Sequence, residues 1–258
     1  MNSVTNGEKE YPERVAVVTG AASGIGLAIA RELAQRSHAV ALFDRQGEAV
    51  EKAAAELTAS GYRAGAYRVD VADEEAVVAA VDSVRDRFGP VQIVVTSAGV
   101  EQFTPFPEIS VEQWDRIMAV NLRGTFTCIQ AAVSDMIAAG WGRIVTISSS
   151  SAQSGARNMA HYVASKGGVI GLTKALAAEL SPKGITVNSI PPSIIDTPMA
   201  RQATPSGTFP GVEAVAAMTP VRRVGTPDDV AAACAFLCSD AAGFITGQLI
   251  GVNGGLYV

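Results

Sequence analysis

Long apolar runs, clustered basic residues and paired cysteines are all missing from this chain of 258 residues. No apolar stretch approaches the roughly 20 residues that a membrane-crossing helix needs. Residues 1–11 are polar where a secretory signal would be apolar. A cytoplasmic protein with no membrane partner is therefore expected. The net charge is -5 and no basic run interrupts it, which argues against nucleic acid as a partner, since phosphate contacts need grouped Lys and Arg. Three cysteines, Cys128, Cys234 and Cys238, are too few and odd in number for a disulfide framework. Cys234 and Cys238 are four apart on an expected helix, but no histidine or carboxylate stands at ligand spacing. Buried thiols are expected there, and no metal. Aromatic residues make up only 6% of the chain, against 48% hydrophobic residues overall. Ala, Val, Ile and Gly dominate, the small-residue composition of a parallel sheet covered by close-packed helices.

Short apolar strands alternate with amphipathic helices. Strands are expected at 14–19, 39–43, 64–69, 91–96, 143–147, 186–190 and 249–252. Helices are expected at 24–36, 48–60, 73–88, 110–139 with a kink at Gly124, 160–180 and 228–238. Strands separated by single helices pair in parallel through right-handed crossovers. The expected fold is a single-domain α/β doubly wound Rossmann fold, a parallel seven-stranded sheet with helices on both faces. The domain is expected over 13–258, after a mobile tail at 1–12. The stretch 197–220 is irregular, with Pro198, Pro205, Pro210 and Pro220 and two glycines among them, and is expected to act as a substrate lid.

The first strand runs into Thr19-Gly20-Ala21-Ala22-Ser23-Gly24-Ile25-Gly26 and then a helix. Gly20, Gly24 and Gly26 let the backbone turn and approach a pyrophosphate, and Ser23, Gly24 and Ile25 bring helix N-terminal N–H groups to it. Such a loop is weak evidence alone; its place between strand and helix carries the argument. Asp44 closes the second strand, where an acidic side chain bonds the ribose 2′-hydroxyl of NAD and repels the 2′-phosphate of NADP. Arg45 follows and is able to accept that phosphate. NAD is the expected cofactor, NADP the alternative. Asp70 and Val71 end the third strand at the expected adenine edge. Ala98 and Gly99, small residues ending the fourth strand, leave room for the cofactor.

Tyr162 and Lys166 are four apart at the start of a helix and share one face. The preceding segment, Ser148 to Ser151, brings hydroxyls to the same edge of the sheet as the glycine loop. Hydride transfer to a carbonyl needs a proton donor, and the reverse reaction needs a base. A free tyrosine, with a pKa of about 10, is too weak a base at neutral pH. The Lys166 ammonium is expected to lower it.

Together these motifs resemble the short-chain dehydrogenase/reductase family, from Arg14 onward. The loop matches T-G-x-x-x-G-x-G, the pair Tyr162 and Lys166 matches Y-x-x-x-K, Ser149 stands at the family's serine and Asn121 at its helix asparagine. The resemblance implies an oxidoreductase acting on a secondary alcohol or ketone. Tyr162 would be the general acid/base, Lys166 would lower its pKa and bind the nicotinamide ribose, Ser149 would hold the substrate oxygen, and Asn121 would hold a relay water. Thr96-Ser97 stands where the family has two asparagines, and Pro192-Ser193 where it has P-G. Pro192, Ile195 and Thr197 are expected beside the cofactor, Thr197 at its carboxamide. Ser193 is expected to crowd it or to touch substrate.

Substrate candidates are Glu101, Ser151, Gln153 and His161, the last either a substrate contact or a helix-surface residue. The lid adds Met199, Phe209, Val212 and Met218. A medium-sized, partly apolar small-molecule alcohol or ketone is expected, with 3-oxoacyl thioesters as another substrate class. The family implies a homotetramer, in which the apolar, glycine-rich 243–258 would pack between subunits. The rival reading is a non-catalytic, redox-sensing dinucleotide-binding regulator, which would have no need of Asn121, Ser149, Tyr162 and Lys166 together.

Overall fold

A computed structural model describes residues 13–203 and 211–257. The tail expected at 1–12 and the centre of the lid, with Phe209, lie outside the described residues. In chain order the main elements are β1 (Val15–Thr19), α1 (Gly24–Gln35), β2 (Ala39–Asp44), α2 (Gly47–Ala59), β3 (Ala64–Arg68), α3 (Glu74–Phe88) and β4 (Val91–Thr96). They continue with α4 (Val111–Met118), α5 (Gly124–Ala139), β5 (Gly142–Ile147), α6 (Ser151–Ser154), α7 (Ala160–Leu180) and β6 (Ile185–Ile190). The last three are α8 (Pro198–Ala203), α9 (Val212–Met218) and α10 (Pro227–Leu237).

The strands form one parallel sheet in the order β3-β2-β1-β4-β5-β6. The order reverses between β1 and β4, so a crevice opens at their carboxyl ends. Side-chain alternation divides the core. On β1, Ala16 and Val18 face α1 and α10 in one apolar layer, while Val15 and Val17 face α3 and α5 in the other. Both faces are covered, which is why β1, β2, β4 and β5 read as nearly continuous apolar runs.

The seventh strand does not form. Segment 249–252 meets the sheet edge through isolated parallel bridges, Ser189 of β6 with Leu249 and Pro192, just beyond β6, with Val252. Glycine weakens a strand interior, and Gly247, Gly251, Gly254 and Gly255 punctuate this segment, so no continuous ladder grows. The helix expected at 110–139 is two helices joined by a π-helical turn, Ala119–Arg123. Gly124 itself has ordinary helical angles (φ -60°, ψ -38°). Its missing side chain is needed for packing, because a Cβ there would lie 2.8 Å from a methyl of Val71. In the stretch expected to be irregular, α8 and α9 are helical.

Candidate active site

Beyond the carboxyl ends of the strands lies a cleft of about 830 Å³. That is ample for a ligand of cofactor size. Its floor is the loop after β1. Gly20 takes a left-handed conformation (φ +66°), and a Cβ there would lie 2.9 Å from the backbone of Ala98. A Cβ on Gly26 would lie 2.7 Å from the Gly20 carbonyl carbon and closer still to its oxygen. The loop is therefore as tight as backbone alone permits. Thr19 Oγ1 accepts hydrogen bonds from the amides of Ser97 (3.1 Å) and Ala98 (3.0 Å), tying β1 to the end of β4.

Helix α1 starts at Gly24 with no side-chain cap from Ser23 and no acidic residue in its first turn. Its leading N–H groups are left for an anion, and the helix dipole favours one. Asp44 closes β2 with its carboxylate turned toward this loop, accepting from Ala22 N at 3.1 Å and Gln46 N at 2.9 Å. Each oxygen keeps a further lone pair for a ribose hydroxyl. The glycine cradle, the uncapped helix and the carboxylate together fit a dinucleotide. Asp70, Val71, Ala98, Gly99 and Thr197 line the same cleft.

Tyr162 and Lys166 enter the cleft from the first turns of α7. Lys166 is 5% exposed and donates from Nζ to the Ile147 carbonyl at 2.9 Å. Its Nζ is 5.8 Å from the centre of the Tyr162 ring. Gly99 makes room for it, since a Cβ on Gly99 would lie 3.4 Å from Nζ. Burial pulls the Lys166 ammonium down to about 8, against the opposing charge of Glu101. The Tyr162 phenol is not lowered as pairing with Lys166 predicts. Burial pushes it up to about 12, Glu101 adds to the rise, and the neighbouring Ser149 hydroxyl opposes it. The Lys166 ammonium is turned to the Ile147 carbonyl. Ser149 Oγ is 2.8 Å from Ser151 Oγ and accepts from Ser151 N at 3.2 Å.

Asn121 is fully buried in the π-helical turn. Its Oδ1 accepts from Val100 N (2.8 Å), and its Nδ2 donates to the Val100 carbonyl and to Ser165 Oγ, both at 3.0 Å. Both backbone groups of Val100 are thus held by one amide, which fixes the direction of the chain as it leaves β4. The extra residue of the π-helical turn re-aims the side chain toward β4.

The family model described as enoyl-(acyl carrier protein) reductase matches residues 20–257. The chain is 42% identical to the D-threitol dehydrogenase of Mycolicibacterium smegmatis, covering 94% of this chain and 92% of that one. It is 41% identical to the cis-4-hydroxycyclohexanecarboxylate dehydrogenase of Sinomonas cyclohexanicum, over 95% and 97% of the two chains. The crystal structure of a gluconate 5-dehydrogenase from Burkholderia cenocepacia, in complex with NADP and tartrate, superposes with a TM-score of 0.88 at 34% identity, covering 94% of each chain. This chain belongs to the short-chain dehydrogenase/reductase family. It is an oxidoreductase of that family, whose members bind a nicotinamide dinucleotide.

Against the family pattern, Thr96 is buried and its hydroxyl has no hydrogen-bond partner among the described residues, whereas Ser97 lines the cleft. Pro192 and Ile195 are buried and do not line the cleft as expected. The Pro192 carbonyl accepts from Ser150 N at 3.0 Å, and Ser193 N donates to the Val252 carbonyl, so this segment is tied to the chain end. Ser193 does not border the cleft either. Gln153 is exposed on α6 and Ser151 is bonded to Ser149, neither lining the cleft. His161 is fully buried, with neither ring nitrogen hydrogen-bonded among the described residues, so it is neither a surface residue nor a cleft residue. It shares the inner face of α7 with Ser165 and Val169, one helical step from the face that carries Tyr162. Of the expected substrate contacts, Glu101 and Met199 reach the cleft. Met218 is exposed on α9, and the Val212 side chain is outside the described residues. Sequence reasoning missed Phe103, Arg116 and Val120 in the cleft wall. Phe103 follows Glu101 by two residues and was within reach of the same argument. Arg116 and Val120 come from the helical region after it, where no local pattern marks them.

Proposed function

We propose that this protein is an NAD(H)-dependent dehydrogenase/reductase that interconverts a secondary alcohol and a ketone, with Tyr162 as general acid/base. The observation that carries this reading is the convergence of Tyr162 and Lys166 on the cleft that the glycine cradle floors, with the Ser149 hydroxyl beside the phenol. The bound dinucleotide supplies the hydride acceptor or donor and, when oxidised, a positive charge beside the phenol.

The protein's own part is to manage the proton. With its pKa near 12 the phenol is protonated at neutral pH and is ready to give its proton to a ketone oxygen. In the oxidative direction Tyr162 Oη must take the alcohol proton. Bringing the phenol from about 12 to neutrality corresponds to roughly 7 kcal/mol of added stabilisation of the phenolate. Lys166 supplies part of it once its ammonium turns from Ile147 toward the phenol. Ser149 Oγ holds the substrate oxygen and stabilises its charge. The Asn121 side chain is committed to Val100 and Ser165, so a relay water beside it has to bond the backbone carbonyl, which already accepts from Thr125 at 2.8 Å.

Asp44 favours NAD, because its carboxylate faces the position a 2′-phosphate would take. Arg45, in the same wall, favours the second reading, NADP, and the gluconate 5-dehydrogenase relative was crystallised with NADP. Phe103 and Met199 suit a partly apolar substrate. Exposed Phe126 and Ile137 on α5 and fully exposed Phe244 suit a homotetramer. The test is a panel of secondary alcohols assayed with NAD⁺ and with NADP⁺. The expected result is a kcat/KM at least tenfold higher with NAD⁺, and a reversed preference when Asp44→Ala leaves Arg45 in place. Turnover with NADP⁺ alone overturns the cofactor assignment.

A further inference from the structure

Three carboxylates line the cleft, and two of them are engaged. Asp44 accepts two backbone N–H groups, and Asp70 accepts one from Ala72 at 3.0 Å. Asp44 ends β2, and Asp70 follows β3. Glu101 is different. It leaves β4 two residues beyond Gly99, beside Tyr162 and Lys166, and its carboxylate makes no hydrogen bond and no ion pair among the described residues. It is half-buried, and its charge raises the proton affinity of both Tyr162 and Lys166.

Glu101 is not a loose surface side chain. Asn121 holds both backbone groups of Val100, the residue before it, at 2.8 and 3.0 Å. Three residues later, buried Thr104 donates its N–H to the Asn158 carbonyl at 2.7 Å, just before α7. The intervening segment is strapped at both ends, with Glu101 and Phe103 on the cleft wall. A carboxylate kept half out of water without donors is costly unless a ligand provides them. The donors must lie close to the reacting carbon, because Glu101 adjoins the acid/base pair.

We propose that Glu101 is a specificity-determining residue that accepts a hydrogen bond from a second hydroxyl of the substrate, so that the preferred substrates are vicinal diols or polyols. This rests on the alcohol dehydrogenase reading given above and deepens it. In the oxidation the carbinol C–H bond breaks, its hydride passes to the oxidised dinucleotide, and the O–H proton passes to Tyr162. The second hydroxyl is unchanged, and the product is an α-hydroxy ketone. The same carboxylate repels substrates with a negative charge next to the carbinol, and an acyl thioester offers it no donor.

The test uses the full-length enzyme with cis-1,2-cyclohexanediol, cyclohexanol and 2-hydroxycyclohexanecarboxylate, and reads ratios of kcat/KM. A hydrogen bond to a charged group is worth about 10- to 100-fold in such a ratio. The wild type is expected to prefer the diol to cyclohexanol by that factor, and the hydroxy acid is expected to be the poorest of the three. Glu101→Ala is expected to cut the diol preference at least tenfold. Glu101→Gln keeps an acceptor of the same shape, so it is expected to retain part of the preference while raising the hydroxy acid relative to cyclohexanol. It also serves as the near-isosteric check should the alanine variant fold poorly. A diol-to-cyclohexanol ratio unchanged within twofold in both variants overturns the assignment of Glu101, as does a wild type that prefers the hydroxy acid. A wild type that oxidises no secondary alcohol with either dinucleotide removes the underlying reaction class as well.

Discussion

At the amino ends of the strands, a charged and aromatic cluster closes on itself, although the buried Arg14 Nε has no hydrogen-bond partner among the described residues. The Trp141 ring lies between the guanidinium groups of Arg14 (3.9 Å) and Arg143 (4.3 Å). Its Nε1 donates to Asp240 at 2.8 Å, and Asp240 stands 3.8 and 3.9 Å from the two arginines. At the carboxyl ends the reverse holds. Helix α1 is uncapped, the Glu101 carboxylate has no donor among the described residues, and the Tyr162 phenol is buried with only a serine hydroxyl to ease it. The same sheet thus carries a self-paired cluster at one end and groups turned toward a cleft at the other. Groups satisfied internally stabilise; groups left short of partners are available to a ligand, and stability is given up at that end for function.

The comparison breaks most readily at Tyr162. Tyr162→Phe removes one hydroxyl from the cleft end and is expected to lower kcat about 10²- to 10⁴-fold. Dinucleotide affinity, read by fluorescence quenching, should stay within a few fold. Turnover within tenfold of wild type would show that the proton moves elsewhere.

Gly26→Ala addresses the backbone of the same end. The added methyl overlaps the Gly20 carbonyl, so the cradle must open. Dinucleotide Kd should rise about 100-fold, and stability should fall by about 1–3 kcal/mol. Unchanged affinity would mean that the loop does not hold the pyrophosphate.

The smallest effect belongs to the amino end. Burial, Arg14 and Arg36 together lower the pKa of His38 to about 4, against 6.5 for a free histidine. The unfolded chain therefore takes up the proton first as pH falls. The stability from this group is complete above about 6.5 and is lost progressively between 6.5 and 4. Between pH 7 and pH 5 the loss should be about 1–2 kcal/mol, seen in the urea midpoint. His38→Gln should flatten that slope, and an equal slope in the variant would place the sensitivity in another group.

The glycine-loop half of the cleft was legible because its shape is set by backbone. Gly20, Gly24 and Gly26 mark a conformation that side chains cannot follow, and Asp44 is fixed by the strand it ends. The pair Tyr162 and Lys166 was legible because a helix puts residues four apart on one face. The substrate half was legible only in part. Glu101 and Met199 were expected, whereas Phe103 and Arg116 come from separate segments whose meeting no local spacing encodes. His161 adjoins Tyr162 in sequence, yet the 100° step of a helix carries it into the core. Pro192 and Ile195 are likewise buried, Pro192 bridged to Val252 and Ile195 to Gly225.

The alternation of apolar strands and helices, the glycine loop and the tyrosine–lysine spacing determined the layered parallel sheet and the chemistry at its edge, because each is a short-range rule of backbone geometry. Only the tertiary structure decided that the 249–252 segment forms bridges where a seventh strand was expected, that Asn121 is held in a π-helical turn against Val100, that burial drives the phenol upward, and that Glu101 stands near it with no hydrogen bond or ion pair among the described residues. Those outcomes depend on which distant groups come within hydrogen-bonding or electrostatic range, and that is set by packing.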